Sequence, residues 1–262
     1  MRMLRNIKIV ALVAMLSVAW SSKSASAAEI ATQEQKIIVS AAASLTNALT
    51  EIGNAFEQAE PSVKVTFNFA SSGALLQQMA QGAPVDVFIP ASQKFMDDAQ
   101  AKQLIIPATR KDFTRNALAL IAPAANASVT TLADLLKPEV KRVAIGDPAS
   151  VPAGQYAKEA FEGEQMWEKL GEKFVFGSNV RQVLDYVRRG EVDAGVVFST
   201  DAALEPERAR VVLTLEHHAP IVYPLAVTTL SQNADAAARF VEFVIGEKGQ
   251  DILRQFGFQS VE

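Results

Sequence analysis

The stretch VKVTFNFASSGALLQQMAQGAPVDVFI, residues 63–89, contains the pattern that decides the fold class. Valines and phenylalanines alternate with other residues over 63–69, which predicts a strand. Leucines and a methionine at helical spacing follow, and Gly82 is placed to end that helix. A second apolar run, 85–89, predicts the next strand. Strand, helix and strand at this spacing are typical of a βαβ unit in a mainly parallel sheet.

The same alternation continues on both sides of this stretch and forms two blocks. In the first block, a strand over 36–40 precedes a helix that begins at Ser44. In the second block, helices that begin at Pro152 and Asn179 separate short apolar runs. These runs predict strands at 143–146, 174–176, 194–198 and 211–215.

Two further apolar runs connect the blocks. Neither block is complete by itself, so 116–122 and 221–229 are interpreted as crossover strands. The first lobe then comprises 28–115 plus 221–262 and the second comprises 116–220, with a ligand cleft between them. The predicted class is α/β, with two lobes that each contain a mainly parallel sheet flanked by helices. A single continuous α/β domain is the alternative.

Composition excludes several classes of protein. The chain has 262 residues, of which 49% are apolar and 21% are charged, and this is globular rather than disordered composition. It contains no cysteine, which excludes a disulfide scaffold, a thiol nucleophile and a lipid anchor attached through cysteine. The formal net charge of −4 argues against nucleic acid as the partner.

Residues 1–27 have the pattern of a secretory signal peptide. Basic residues precede an apolar stretch over 9–20, and Ala-Ser-Ala at 25–27 predicts cleavage after Ala27. A buried N-terminal helix is the alternative. We expect a soluble periplasmic protein after cleavage. Loss of four basic residues leaves 21 basic and 29 acidic side chains, a net charge of −8, so any anion site must create its own local positive potential.

Four junctions between a strand or loop and a helix share one local design. The start of a helix leaves unpaired N–H groups and a partial positive charge, which together form an anion site without a formal charge. In an open α/β sheet, ligands bind beyond the carboxyl ends of the strands, where these junctions lie. The four junctions are at 41–44, 71–73, 151–154 and 178–180.

The residue types at the junctions suit hydrogen-bond donation. Ser44 and Ser72 offer hydroxyl groups in addition to backbone N–H groups, although a serine before a helix is commonly an ordinary cap.

In the second block, Pro152 suits the first position of a helix, so the first free donors are expected to be the N–H groups of Ala153 and Gly154. Asn179 is a predicted N-cap, which leaves the N–H of Val180 at the helix tip.

These same segments carry a family resemblance. The chain resembles the periplasmic molybdate-binding proteins of ABC transporters in AAASLTNAL (41–49), FASSGALLQQMAQGAPVDVFI (69–89), GDPASVPAGQYAKEA (146–160), NVRQVL (179–184) and GVVFSTDA (195–202). The segments around Tyr223-Pro224 and Phe256-Gly257-Phe258 are also similar. The resemblance implies the two-lobed type II periplasmic binding protein fold, a molybdate ligand and tungstate as a second one. It also implies no enzymatic activity, no cofactor, a monomer, and the permease and ATPase subunits of an importer as partners.

Carried over residue by residue, the resemblance places the ligand on Ser44, Ser72, Ala153 and Val180. One position departs from the family pattern. Several members have a tyrosine donor where this chain has Phe198, so either one donor is missing or another group replaces it. Phe198 is then expected to form part of the pocket wall.

The donor types also restrict the ligand. Molybdate at neutral pH is a dianion whose oxygens only accept hydrogen bonds, and no Asp or Glu stands at the expected contact positions. This favours molybdate, tungstate or sulfate over phosphate, and a protein for sulfate or another small oxyanion is the alternative.

A serine-dependent periplasmic enzyme is a further alternative, but a serine nucleophile needs a base. The only histidines are His217 and His218, far along the second block, and two adjacent histidines without a third ligand do not predict a metal site.

Overall fold

The computed structural model describes residues 34–125 and 128–261. The predicted signal peptide over 1–27 lies outside these residues, as does its cleavage site. Among the described residues, no helix has both the length and the apolar character that a membrane span requires.

Strands and helices alternate along the described chain as the sequence predicted. The strands are β1 (Gln35–Ala42), β2 (Val63–Ala70), β3 (Val87–Ile89), β4 (Lys111–Arg115), β5 (Leu118–Pro123), β6 (Val143–Gly146), β7 (Phe174–Gly177), β8 (Ala194–Phe198), β9 (Ala209–Leu215) and β10 (Val222–Val227). The helices are α1 (Thr46–Ala59), α2 (Ser72–Ala80), α3 (Gln93–Ala101), α4 (Pro152–Gly163), α5 (Trp167–Leu170), α6 (Val180–Arg188), α7 (Ser199–Ala202), α8 (Ala234–Ile245) and α9 (Glu247–Gln255).

The strands form two five-stranded sheets. The first has the order β2-β1-β3-β10-β4, and the second has the order β7-β6-β8-β5-β9. In each sheet four strands run in one direction. The fifth strand is antiparallel to them, and it is β10 in the first sheet and β5 in the second. The prediction of two mainly parallel sheets flanked by helices is therefore confirmed. Each sheet with the helices packed on it is called a lobe below.

The chain passes between the sheets twice, and the two passages touch. The first lies at 116–117, between β4 and β5, and the second lies between β9 and β10. The N–H of Asn116 donates to the carbonyl oxygen of Ile221 at 3.2 Å. The strand that follows each passage is the one that runs against the rest of its sheet.

Strand β4 was not predicted from the sequence. Its residues, KDFTR, lack an apolar alternation because β4 lies at the edge of its sheet and buries only Phe113 and Thr114. It is held by its pairing with β10 and by the N–H of Arg115, which donates to the carbonyl oxygen of Gln259 at 2.8 Å.

Helix α4 begins directly against the end of β6. A Cβ atom on Gly154 would lie 1.9 Å from the carbonyl oxygen of Gly146. Only a residue without a side chain lets the first turn of α4 approach the strand this closely.

We expect Gly154→Ala to lower the free energy of unfolding by about 1–3 kcal/mol, because the added carbon meets backbone atoms that cannot rotate away. Urea unfolding followed by circular dichroism measures the change. Gly171→Ala is the matched control, since a Cβ atom at Gly171 meets nothing within 4 Å. Equal stability of the two variants would contradict this account of the packing.

Candidate functional site

The predicted site residues meet around one cavity between the two lobes. Ser44, Ser72, Ala153, Val180 and Phe198 all line it. Each of them follows or ends a strand at the carboxyl edge of its sheet. The space free of protein atoms, including the part that is open to solvent, is about 200 Å³, which suits an ion of a few atoms better than a sugar or a peptide.

Ser44 lies in a 3-10 turn, Ala43–Leu45, between β1 and α1. Its side chain is buried, and its Oγ lies 3.1 Å from the Oη of Tyr223. Arg181 donates to its carbonyl oxygen at 3.2 Å. Both the hydroxyl and the carbonyl of Ser44 are thus held by other parts of the chain.

Ser72 is the first residue of α2 and is fully buried. Its Oγ accepts a hydrogen bond from the N–H of Ala91 at 2.9 Å. Because this bond uses a lone pair of the hydroxyl, the hydroxyl proton remains available to donate into the cavity.

The second lobe presents two helix starts to the cavity. Ala153 is the second residue of α4, and Val180 is the first residue of α6. N–H groups in the first turn of a helix have no partner within the helix. The prediction of Asn179 as an N-cap is confirmed, since its Oδ1 accepts from the N–H of Gln182 at 3.0 Å.

One expected donor is not free. The N–H of Gly154 donates to the carbonyl oxygen of Val151 at 3.0 Å, so the expectation that it is a free donor was wrong. The glycine is required for packing against Gly146 rather than for the approach of an ion.

The lobes also touch directly beside the cavity. The N–H of Gly73 in the first lobe donates to the carbonyl oxygen of Ser150 in the second at 2.9 Å. A Cβ atom on Gly73 would lie 2.7 Å from the Cα of Ser150. The two lobes therefore lie closer together at this point than a residue with a side chain would permit.

Arg181 makes a second link between the lobes, and no role for it was predicted from the sequence. It follows Val180 on α6, and its Nη1 donates to the Oδ1 of Asn47 in the first lobe at 2.9 Å. Its Nε lies 2.5 Å from the Oδ1 of Asp201 in its own lobe. No local pattern signals this arrangement, because the partners lie far apart in sequence.

Formal charges are kept out of the cavity wall. Among the described residues that line the cavity, none is charged. The charge of Arg181 is balanced by Asp201, which is fully buried. Burial raises the pKa of the Asp201 carboxyl to about 6, and the Arg181 guanidinium opposes that rise.

Phe198 ends β8 and is 1% exposed. Its ring centroid lies 5.8 Å from that of Tyr223 and 6.4 Å from that of Tyr156. It forms an apolar part of the cavity wall and offers no hydrogen-bond donor.

The two histidines lie away from this cavity wall. The Nε2 of His217 lies 3.4 Å from the Oε1 of Glu164, and His218 contacts backbone carbonyl oxygens. Over 34–125 and 128–261, no three His, Asp or Glu side chains are grouped so that they could hold a metal ion.

The buried Asp201 makes stability depend on pH. Its pKa is higher in the folded chain than its ordinary value of 3.8, so the folded state binds the proton more tightly. As the pH rises from about 4 to about 6, we expect the free energy of unfolding of the natural chain to fall by up to about 3 kcal/mol relative to that of Asp201→Asn. Urea unfolding across this pH range measures the difference. A free energy of unfolding that does not fall relative to that of Asp201→Asn as the pH rises would mean that the pKa of Asp201 is not raised in the folded chain.

Comparisons with known proteins agree with this architecture. The family model described as bacterial extracellular solute-binding protein matches residues 37–259. The molybdate-binding protein ModA of Haemophilus influenzae is 36% identical over 232 residues, which cover 86% of this chain and 90% of that protein. ModA of Escherichia coli is 39% identical over 234 residues, which cover 86% and 89%.

A solved structure supports the fold. The periplasmic molybdate-binding protein of Azotobacter vinelandii superposes with a TM-score of 0.77 at 20% identity, covering 86% of this chain and all of that one. The family resemblance found in the sequence is confirmed. The chain belongs to the bacterial extracellular solute-binding proteins, a family of binding proteins rather than enzymes.

Proposed function

We propose that this protein binds molybdate in the cavity between its lobes and delivers it to the permease and ATPase subunits of an ABC importer. It acts in the periplasm as a monomer after removal of residues 1–27. The proposal is supported by the family, by the two ModA relatives described above and by the chemistry of the cavity.

The observation that carries the proposal is the direction of the hydrogen bond at Ser72. The Oγ of Ser72 accepts from the N–H of Ala91, and the Oγ of Ser44 contacts the hydroxyl of Tyr223. A lone pair of Ser72 is engaged by the protein, so its proton is left for the ligand, and Ser44 brings a second hydroxyl to the cavity wall. A cavity that offers donors suits an anion whose oxygens only accept.

The ligand contacts follow from this arrangement. The hydroxyl and N–H groups of Ser44 and Ser72 donate from the first lobe, and the N–H groups of Ala153 and Val180 donate from the second. Phe198 closes the wall without a donor. Each bond to a charged oxygen contributes about 1.5–3 kcal/mol, so six of them provide enough free energy for micromolar to nanomolar binding after the costs of ordering and desolvation.

Donors on both lobes make the ligand part of the contact between them. The links from Gly73 to Ser150 and from Arg181 to Asn47 then belong to the closed, ligand-bound arrangement. Without the anion, the two sets of helix starts face each other with nothing to bridge them, and the lobes open about the passages at 116–117 and 216–221. The importer distinguishes the closed form from the open one.

Calorimetric titration with molybdate, tungstate, sulfate and phosphate tests the proposal. We expect tight binding of molybdate and tungstate, weaker binding of sulfate because the ion is smaller, and weaker binding of phosphate because its proton finds no acceptor. Preference for sulfate would support the alternative of a sulfate-binding protein, and preference for phosphate would refute the assignment of donors.

Ser72→Ala should weaken molybdate binding by about 1.5–3 kcal/mol, because it removes one donor to a charged oxygen. Calorimetry measures the change. Ser92→Ala is the matched control, since Ser92 is also buried but caps α3 through a bond from Phe95 and does not line the cavity. If both variants bind molybdate like the natural chain, Ser72 does not contact the ligand.

Gly73→Ala should weaken molybdate binding about tenfold, because the added methyl group meets the backbone of Ser150 only when the lobes close. Small-angle scattering should show less compaction on adding molybdate than in the natural chain. Gly171→Ala again serves as the control. Unchanged affinity and compaction in Gly73→Ala would mean that this contact is not part of closure.

A further inference from the structure

The hydroxyl of Tyr223 is a buried polar group beside the cavity that the proposed ligand contacts do not use. Tyr223 lies on β10 and is 0% exposed. Its Oη lies 3.1 Å from the Oγ of Ser44 and 3.2 Å from the Nδ2 of Asn116. A buried hydroxyl with two partners is held in a defined orientation, and the orientation can be worked out from those partners.

The amide of Asn116 sets the direction of this network. The N–H of Ala117 donates to the Oδ1 of Asn116 at 2.9 Å, which identifies the other amide atom as the nitrogen. That nitrogen, Nδ2, has two protons. One is directed to the Oγ1 of Thr200 at 2.9 Å and the other to the Oη of Tyr223.

Only one of the two partners of the Tyr223 hydroxyl can accept its proton. Nδ2 of Asn116 is a donor and accepts nothing, so the hydroxyl of Tyr223 donates to the Oγ of Ser44. Burial raises the pKa of the Tyr223 phenol well above its ordinary value, so the proton is present at neutral pH. The hydroxyl of Ser44 then accepts from Tyr223, which leaves its own proton available to donate into the cavity that it lines.

We propose that Tyr223 is a positioning residue that holds the Ser44 hydroxyl as a donor to the anion and thereby determines selectivity for oxyanions without a proton. The inference rests on the proposed function. Ser72 has the same arrangement, with the N–H of Ala91 in the role of the Tyr223 hydroxyl. Tyr223 acts through Ser44 and does not itself line the cavity, whose neighbouring wall is the ring of Phe198.

The location of Asn116 gives this network a connection to both lobes. Asn116 lies at the first passage between the sheets, and its side chain bonds Tyr223 in the first lobe and Thr200 in the second. The direction of the Ser44 hydroxyl is therefore set by a residue that the hinge itself positions.

Removing the Tyr223 hydroxyl changes what Ser44 can do. In Tyr223→Phe, the Oγ of Ser44 regains a free lone pair, and its hydroxyl can rotate to accept a proton from a ligand. We expect molybdate binding to weaken about tenfold, the effect of losing one oriented bond to a charged oxygen. Inorganic phosphate, which at mildly alkaline pH is mainly a dianion with one proton, should lose less affinity or gain some.

The experiment is calorimetric titration of the natural chain, Tyr223→Phe and Tyr156→Phe with molybdate and with inorganic phosphate. Tyr156→Phe is the matched control, because Tyr156 is also buried and packs against Phe198 but has no contact with Ser44 among the described hydrogen bonds. We expect the ratio of molybdate to phosphate affinity to fall in Tyr223→Phe alone.

A double-mutant cycle separates positioning from a general loss of packing. If Tyr223 acts through Ser44, Tyr223→Phe should have no further effect on molybdate affinity in a Ser44→Ala background. An effect of the same size in both backgrounds overturns the inference, as does an unchanged affinity ratio in Tyr223→Phe. Failure of the natural chain to prefer molybdate over phosphate would instead overturn the proposed function.

Thermal unfolding shows whether each variant folds. If Tyr223→Phe does not fold cooperatively, Asn116→Ala replaces it, since loss of the Nδ2 donor frees Tyr223 to accept from Ser44. The same fall in the affinity ratio, again dependent on Ser44, is expected. Natural selectivity in Asn116→Ala would overturn the inference.

Discussion

The structure is organised around backbone N–H groups that have no partner inside their own helices. Parallel strands end at one edge of each sheet, and the helices that follow begin there with unpaired donors. The two sheets bring these edges together, so the starts of helices from both lobes surround a space of about 200 Å³. Among the described residues that line this space none has a formal charge, so its positive potential comes from these helix starts and from the serine hydroxyl groups.

Neutral donors have a physical advantage over charged side chains at such a site. The backbone N–H groups are fixed by the helices and need not be reorganised or ordered when an ion arrives. A lysine or arginine in the wall would carry a charge that must be balanced whenever the cavity is empty. Here the nearby Arg181 is balanced by Asp201 at neutral pH, and its remaining donors link the lobes.

The direction of a hydroxyl matters as much as its position. A serine can donate or accept, so by itself it does not distinguish an oxyanion with a proton from one without. In this protein a backbone N–H donates to the oxygen of Ser72, and we infer that Tyr223 does the same for Ser44, which occupies one lone pair and favours donation by each hydroxyl. We infer that selectivity depends in part on Tyr223, which does not line the cavity.

The sequence by itself determined the strands and helices with apolar periodicity, among them 143–146 and 194–198, whose bounds are those of β6 and β8. It also identified four strand-to-helix junctions, because caps, glycines and serines act on their immediate neighbours. Only the tertiary structure revealed the edge strand β4, whose polar residues carry no periodic signal.

The tertiary structure also decided the contacts that give those junctions their chemistry. Gly154 is required by Gly146, and Ser44 is held by Tyr223 and Arg181, residues 179 and 137 positions away. Periodicity and capping are local and can be inferred from neighbouring residues. The partner of a buried hydroxyl depends on how the strands and helices are arranged in space, which no short stretch of the chain specifies.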